Sequence, residues 1–188
     1  MKDWATMTEL LLEDPGPEEQ ALTELQESTL INLMTCSVKQ AATGIHPLGR
    51  VPRSKVMASG KLSVTNHFMT ALPKLLSKYQ RNDKIIATLL SIPLYFDLKL
   101  YATTRQQNSL ESLLDILKAT VENHSSSEVT DVAAKALETL CLNERLTSSK
   151  TEGSLLQVLE AVSTSLLSSN RSYEESIANV SLMLYSTL

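Results

Sequence analysis

The residues best equipped for proton transfer, nucleophilic attack or metal ligation are few: His46, His67 and His124, Cys36 and Cys141, and the acid pairs Glu18/Glu19 and Glu174/Glu175. Their spacing assembles nothing. No G-x-S-x-G elbow, phosphate loop, G-x-G-x-x-G, C-x-x-C or H-E-x-x-H occurs. His46 falls in a proline-glycine loop and His67 in a basic helix. His124 stands at a helix end, where an imidazole is expected at the surface beside terminal carbonyls. The two cysteines sit on or beside apolar helical faces and are expected as buried small hydrophobes. The acid pairs fall in loops or first helical turns, where negative charge complements the helix dipole. The sequence therefore predicts no enzyme, no cofactor, no metal and no small-molecule substrate.

Charge is more informative. The formal net charge is -4, but it is unevenly distributed. Residues 1–38 hold one base and eight acids, residues 39–84 nine bases and one acid, and residues 85–188 seven bases and twelve acids. In the basic band Lys74, Lys78 and Arg81 recur at i, i+4 and i+7, a spacing that predicts one helical face. Lys61 and Lys84 bracket that segment, and Arg50, Arg53 and Lys55 lie in the preceding loop. With a single acid nearby in sequence, these cations are expected to have few local ion-pair partners. A field of one sign attracts phosphates or an acidic protein segment. The plainer alternative is a solvated face that balances its acidic neighbours. Phe68 and Tyr79 are the band's only aromatics, which argues against stacking of single-stranded bases.

The elements that must position these groups read as helices. Aromatics make up 4% of the chain, Gly numbers 5, and Leu is abundant. Leu110, Leu113, Leu114, Leu117 and Val121 share one helical face. So do Leu30, Leu33, Met34, Val38 and Ala41; Val129, Val132, Ala133, Ala136, Leu137 and Leu140; Leu155, Leu156, Leu159 and Val162; and Ile177, Val180, Leu184 and Leu188. Trp4, Met7, Leu10 and Leu11 form a short amphipathic run. Ser125 with Glu128 and Ser172 with Glu175 read as capping boxes, and Asn108 as a weaker cap. Pro15-Gly16-Pro17 marks a turn, and 44–60 a basic loop with two prolines and three glycines. Pro73 is expected to kink or divide its helix, and Pro93 to open one.

About eight helices joined by short breaks predict stacked antiparallel pairs. The fold class is all-α, a right-handed α-solenoid of HEAT-like pairs, with a helical bundle as the alternative. Residues 1–188 read as one partial repeat domain. Both ends are expected to be truncated, because apolar faces run to them without polar caps. With 43% hydrophobic residues the chain can bury a core without disulfides or metal. Ile85 to Leu94, its most apolar stretch, has about half the length of a bilayer crossing, and no secretory signal opens the chain. An intracellular protein with reduced thiols is expected.

The blocks WATMTELLLED, QESTLINLMTCSVKQAATG, HPLGR, KLSVTNHFMTALPKLLSKYQ, LLSIPLYFDLKLYATTR and SLESLLDILKATVENH resemble, in that order, the stromal-antigen (SA/Scc3) subunits of cohesin. The likeness covers Trp4 to about Leu142 and fades after it, although YEESIANVSLMLYSTL resembles a later family helix. The loop from Arg50 to Gly60 and the segment from Arg145 to Tyr173 depart from the family pattern, as a specialised or meiotic paralogue would. The resemblance implies a non-enzymatic HEAT-repeat scaffold of sister-chromatid cohesion and chromosome segregation. Its implied partners are the kleisin subunit, the ring ATPases and chromatin DNA, and its location the nucleus and chromosomes. No kleisin-contacting residue carries over to a motif in this chain. The implied DNA contact agrees in kind with the basic band. An unrelated helical adaptor whose basic face binds an acidic protein is the alternative.

Overall fold

Apolar stripes at helical spacing set the architecture, and local capping sets where each stripe starts. The computed structural model describes residues 3–14, 16, 20–44, 57–97, 107–124, 126–141 and 149–168. Among them are seven α-helices, one 3-10 helix and no strand. The α-helices are α1 (Trp4–Leu12), α2 (Glu24–Thr43), α3 (Met57–Lys78), α4 (Asp83–Leu90), α5 (Gln107–Asn123), α6 (Ser127–Cys141) and α7 (Ser149–Ser168), and the 3-10 helix is Ile92–Tyr95. The stripe from Ile177 to Leu188 and the Ser172 cap lie outside the described residues, as does Ser125. No described helix is long and apolar enough to cross a membrane.

Caps explain several boundaries. Thr23 and Gln26 form a reciprocal capping box on α2, with Gln26 N–H donating to Thr23 Oγ1 at 3.3 Å and Thr23 N–H donating to Gln26 Oε1 at 2.9 Å. Gly44 closes α2 in the left-handed region at φ 67, its N–H donating to Gln40 O. Asp3 accepts from Thr6 N–H and Asn82 from Ile85 N–H, opening α1 and α4. Asn108 is not a cap, because α5 already begins at Gln107.

Two layers alternate along the chain. Helix α1 packs on α3, α3 on α5 and α5 on α7, while α2 packs on α4 and α4 on α6; α2 with α3 and α6 with α7 join the layers. Connections of a few residues, 79–82 and 124–126, return the chain from one layer to the other. This is the order that stacked helical pairs produce, and the fold is the expected all-helical array. One continuous core runs through it from Trp4 and Leu11 through Leu72, Leu76, Ile86 and Leu90 to Val162. Thr65, fully buried, is satisfied within it: its hydroxyl donates to Lys61 O at 2.8 Å and accepts from Asp97 N–H at 2.7 Å.

Several sequence expectations change. Pro73 does not divide its helix: α3 runs unbroken from Met57 to Lys78. Leu72, Leu75 and Leu76 around it are fully buried, and that burial offsets a missing backbone bond. Pro93 stands in the first turn of a 3-10 helix that stops at Tyr95 rather than opening an α-helix. The loop expected to reach Gly60 gives way to helix at Met57. Gly60 serves close approach instead, since a Cβ there would stand 1.9 Å from the Ala41 carbonyl oxygen of α2. On α2 the buried row is Ile31, Met34, Val38, Ala41 and Ala42, while Leu33 is 58% exposed. Leu10 also points outward.

Candidate functional site

The basic residues separate into a cluster and an outlier. Lys74 and Lys78 are exposed on the last turns of α3. The helix ends at Lys78, so Arg81 does not continue that face; it is presented from a turn closed by Asn82 N–H donating to Tyr79 O at 3.0 Å. Lys84 is exposed in the first turn of α4. Lys61 is exposed too, but lies about 20 Å along α3 from Lys74 and about 220° around it, given an α-helix's rise and twist. The cluster is therefore Lys74, Lys78, Arg81 and Lys84. Arg50, Arg53 and Lys55 lie outside the described residues.

Acids reach the cluster's surroundings from outside the basic band, through the packing of α2. Asn82 Nδ2 donates to Glu24 Oε1 at 3.0 Å, and the carboxylate of Glu27 lies near enough to the Tyr79 phenol to act on its ionisation. Burial first, then the nearby carboxylate of Glu27, push that phenol above the usual tyrosine range. Glu24 and Glu27 thus border the turn. Even so, among the described residues no ion pair within 4.0 Å engages the four cations. Lys78 Nζ stands 5.9 Å from the Tyr79 ring centroid, at the outer limit of a cation–π contact.

The histidines are structural in different ways. His67 is half-buried, its Nε2 3.2 Å from Thr8 Oγ1 and its ring edge-on to Phe68 at 4.8 Å between centroids. Burial pushes its pKa down, partly countered by a hydrogen bond with the Trp4 backbone. His124 is not the expected surface group. It is 9% exposed, with Nδ1 2.6 Å from Asp83 Oδ1 at the start of α4. Cys36 is exposed, not buried, on the outward row of α2 with Leu25 and Leu33. His46 and the Cys141 side chain lie outside the described residues. Among the described residues no group of three His, Cys, Asp or Glu is placed to hold a metal ion.

Beside the basic turn lies a surface depression of about 530 Å³. Gln80, Arg81 and Asp83 form one wall, and Ile116, Ala119, Thr120, Asn123 and His124 the other. Nothing in the sequence announces it, because the walls are separated by more than thirty residues and meet only when α5 docks.

Comparison with known proteins gives this arrangement a context. Residues 1–184 match the family model described as "Cohesin subunit SCC3/SA, HEAT-repeats domain". The chain is similar to "Cohesin subunit SA-1" of Xenopus laevis, 39% identical over 168 residues, covering 85% of this chain and 13% of that protein. It is also similar to "Cohesin subunit SA-3" of Mus musculus, 37% identical over 152 residues (77% of this chain, 12% of that protein). A third relative is "Cohesin subunit scc-3" of Caenorhabditis elegans, 33% identical over 144 residues (72% of this chain, 13% of that protein). The chain thus spans about an eighth of the length of these relatives.

Proposed function

The chain belongs to the SCC3/SA family of cohesin subunits, and from that premise we propose that it acts as a non-enzymatic scaffold of cohesin in sister-chromatid cohesion and chromosome segregation. In this reading it works on chromosomes in the nucleus, binds kleisin within a complex that includes the ring ATPases, and touches DNA through the basic cluster. Family membership supports the scaffold role. The DNA contact rests on one observation: Lys74, Lys78, Arg81 and Lys84 are exposed together without ion-pair partners among the described residues.

Backbone phosphates are the part of DNA that such a cluster suits. Lysine ammonium groups act as point charges, and Tyr79, the aromatic beside them, is buried and offers no platform for bases. Binding should accordingly fall with salt and ignore sequence. If three of the cations each neutralise a phosphate, the logarithm of affinity declines against that of salt with a slope of about -2.7. Charge reversal at Lys74, Lys78 and Arg81 should weaken binding equally across duplexes, measured by anisotropy with duplexes of different sequence. Binding that survives both high salt and reversal overturns the DNA contact. For the scaffold role the test is copurification with kleisin and the ring ATPases, and a chain that never associates with them overturns it.

A further inference from the structure

We propose that the depression between the α3–α4 turn and the end of α5 is a docking pocket for a short acidic segment of a partner protein, taking one carboxylate side chain and an adjacent aliphatic one. The inference shares Arg81 with the DNA reading, and the two are told apart by Ala119, which lines the concavity and is no part of the outward cations. Its volume of about 530 Å³ is that of a side-chain or small-ligand site. A hollow of that kind suits a peptide better than the broad surface of a duplex.

Charge and polarity decide the occupant. Asp83 is engaged by His124, whose side chain is 7% exposed and lines the same hollow. Arg81 is then the charged lining group with no partner among the described residues. Its planar guanidinium can take a carboxylate in a bidentate pair. Gln80 beside it has an amide that can donate to the same group. Across from them, α5 presents Ile116, Ala119, Thr120 and Asn123 at i, i+3, i+4 and i+7, a row without charge. The acids of that helix, Glu111, Asp115 and Glu122, are turned about 90–130° away from the row's centre by the helical twist. Thr120 returns its hydroxyl to Ile116 O at 2.7 Å, which leaves Ile116 and Ala119 to meet an aliphatic side chain. Glu24 and Glu27 beside the turn repel an extended polyanion more than a single carboxylate.

A library of ten-residue peptides, displayed against the full 188-residue chain, tests this. Peptides with Glu or Asp next to Leu or Ile should be enriched, and the best of them, labelled for anisotropy, should bind in the micromolar range. Ala119→Trp adds bulk without charge at an exposed position and should cut affinity at least about tenfold. Arg81→Ala should do the same, whereas Lys61→Ala, remote from the pocket, should leave it unchanged. Arg81 stands on an exposed turn, so its variant keeps the test informative even if Ala119→Trp disturbs the fold, which a thermal melt reports. A library that enriches no acidic-aliphatic pair overturns the proposal. So does a selected peptide that binds Ala119→Trp as well as the parent, since the attraction would then be diffuse. A 20-base-pair duplex weakened by Ala119→Trp as strongly as the peptide would give the hollow to nucleic acid and overturn the proposal as well.

Discussion

Helices α1 to α3 and helices α5 to α7 bury comparable stripes, but they are tied differently. In the first group polar side chains cross between helices: Trp4 Nε1 donates to Ser37 Oγ at 2.8 Å, Thr8 meets His67, and the Tyr79 hydroxyl donates to Leu11 O at 3.4 Å. A glycine there also lets two backbones touch. In the second group the interface is aliphatic, built from Leu113, Leu114, Leu117, Val121, Leu137, Val158 and Val162. Its one cross-helix side-chain bond among the described residues, Lys118 Nζ to Gln157 Oε1 at 3.1 Å, is exposed. Aliphatic packing is forgiving about partners but sensitive to volume. Polar ties and close backbone contacts work the other way: they tolerate little change of identity and fix which helix meets which.

The largest effect should come from volume in the aliphatic group. Leu114→Ala, at a fully buried position, should cost about 2–5 kcal/mol, whereas Leu114→Met should cost less than about 1.5. Denaturant melts of the two variants check this, and equal losses would break the comparison. Next comes Gly60→Ala. Its methyl group must displace the Ala41 carbonyl, so α2 and α3 have to part, at an expected cost of about 1–3 kcal/mol. An unchanged midpoint would mean that the two helices are not held in contact there. Trp4→Phe keeps most of the ring and removes the bond to Ser37, an expected loss of about 0.5–1.5 kcal/mol. A loss as large as that of Leu114→Ala would show that packing, not the polar tie, carries the residue.

The same contrast explains what the sequence revealed. The α5 and α6 stripes could be read directly, because helical periodicity and burial coincide there. On α2 two adjacent rows satisfied the spacing, and only the packing of α3 and α4 selects the one with Ile31 over the one with Leu33. Cys36 falls on the unselected row and is exposed for that reason. Gly60 looked like loop punctuation, since close approach to Ala41 is a tertiary fact with no local signature. Of the basic site, the exposure of Lys74 and Lys78 was legible, but the helix end that turns Arg81 aside was not. Glu24 and Glu27, which moderate the field, arrive from a helix more than fifty residues earlier. Asp83 and His124 likewise pair across forty-one positions.

The finest test of the polar group is its response to acid. His67 is held below its ordinary pKa of 6.5, chiefly by burial. The residues the ring meets, Trp4, Thr8 and Phe68, carry no charge to favour the imidazolium. Below about pH 6.5 the unfolded chain therefore takes up a proton at this position that the folded chain resists, and stability must fall as pH drops through that range. Above about pH 6.5 both states are neutral at His67 and the contribution is fully present. The thermal midpoint should consequently fall between about pH 7.5 and about pH 5.5, and His67→Gln should make that fall smaller. Because the contacts of His67 join α1 to α3, the protonation cost should be felt first at that docking, with amide exchange in α1 quickening before that in α5. Identical pH slopes in parent and variant would remove His67 from the account and leave the tie between α1 and α3 to Trp4 and Tyr79 alone.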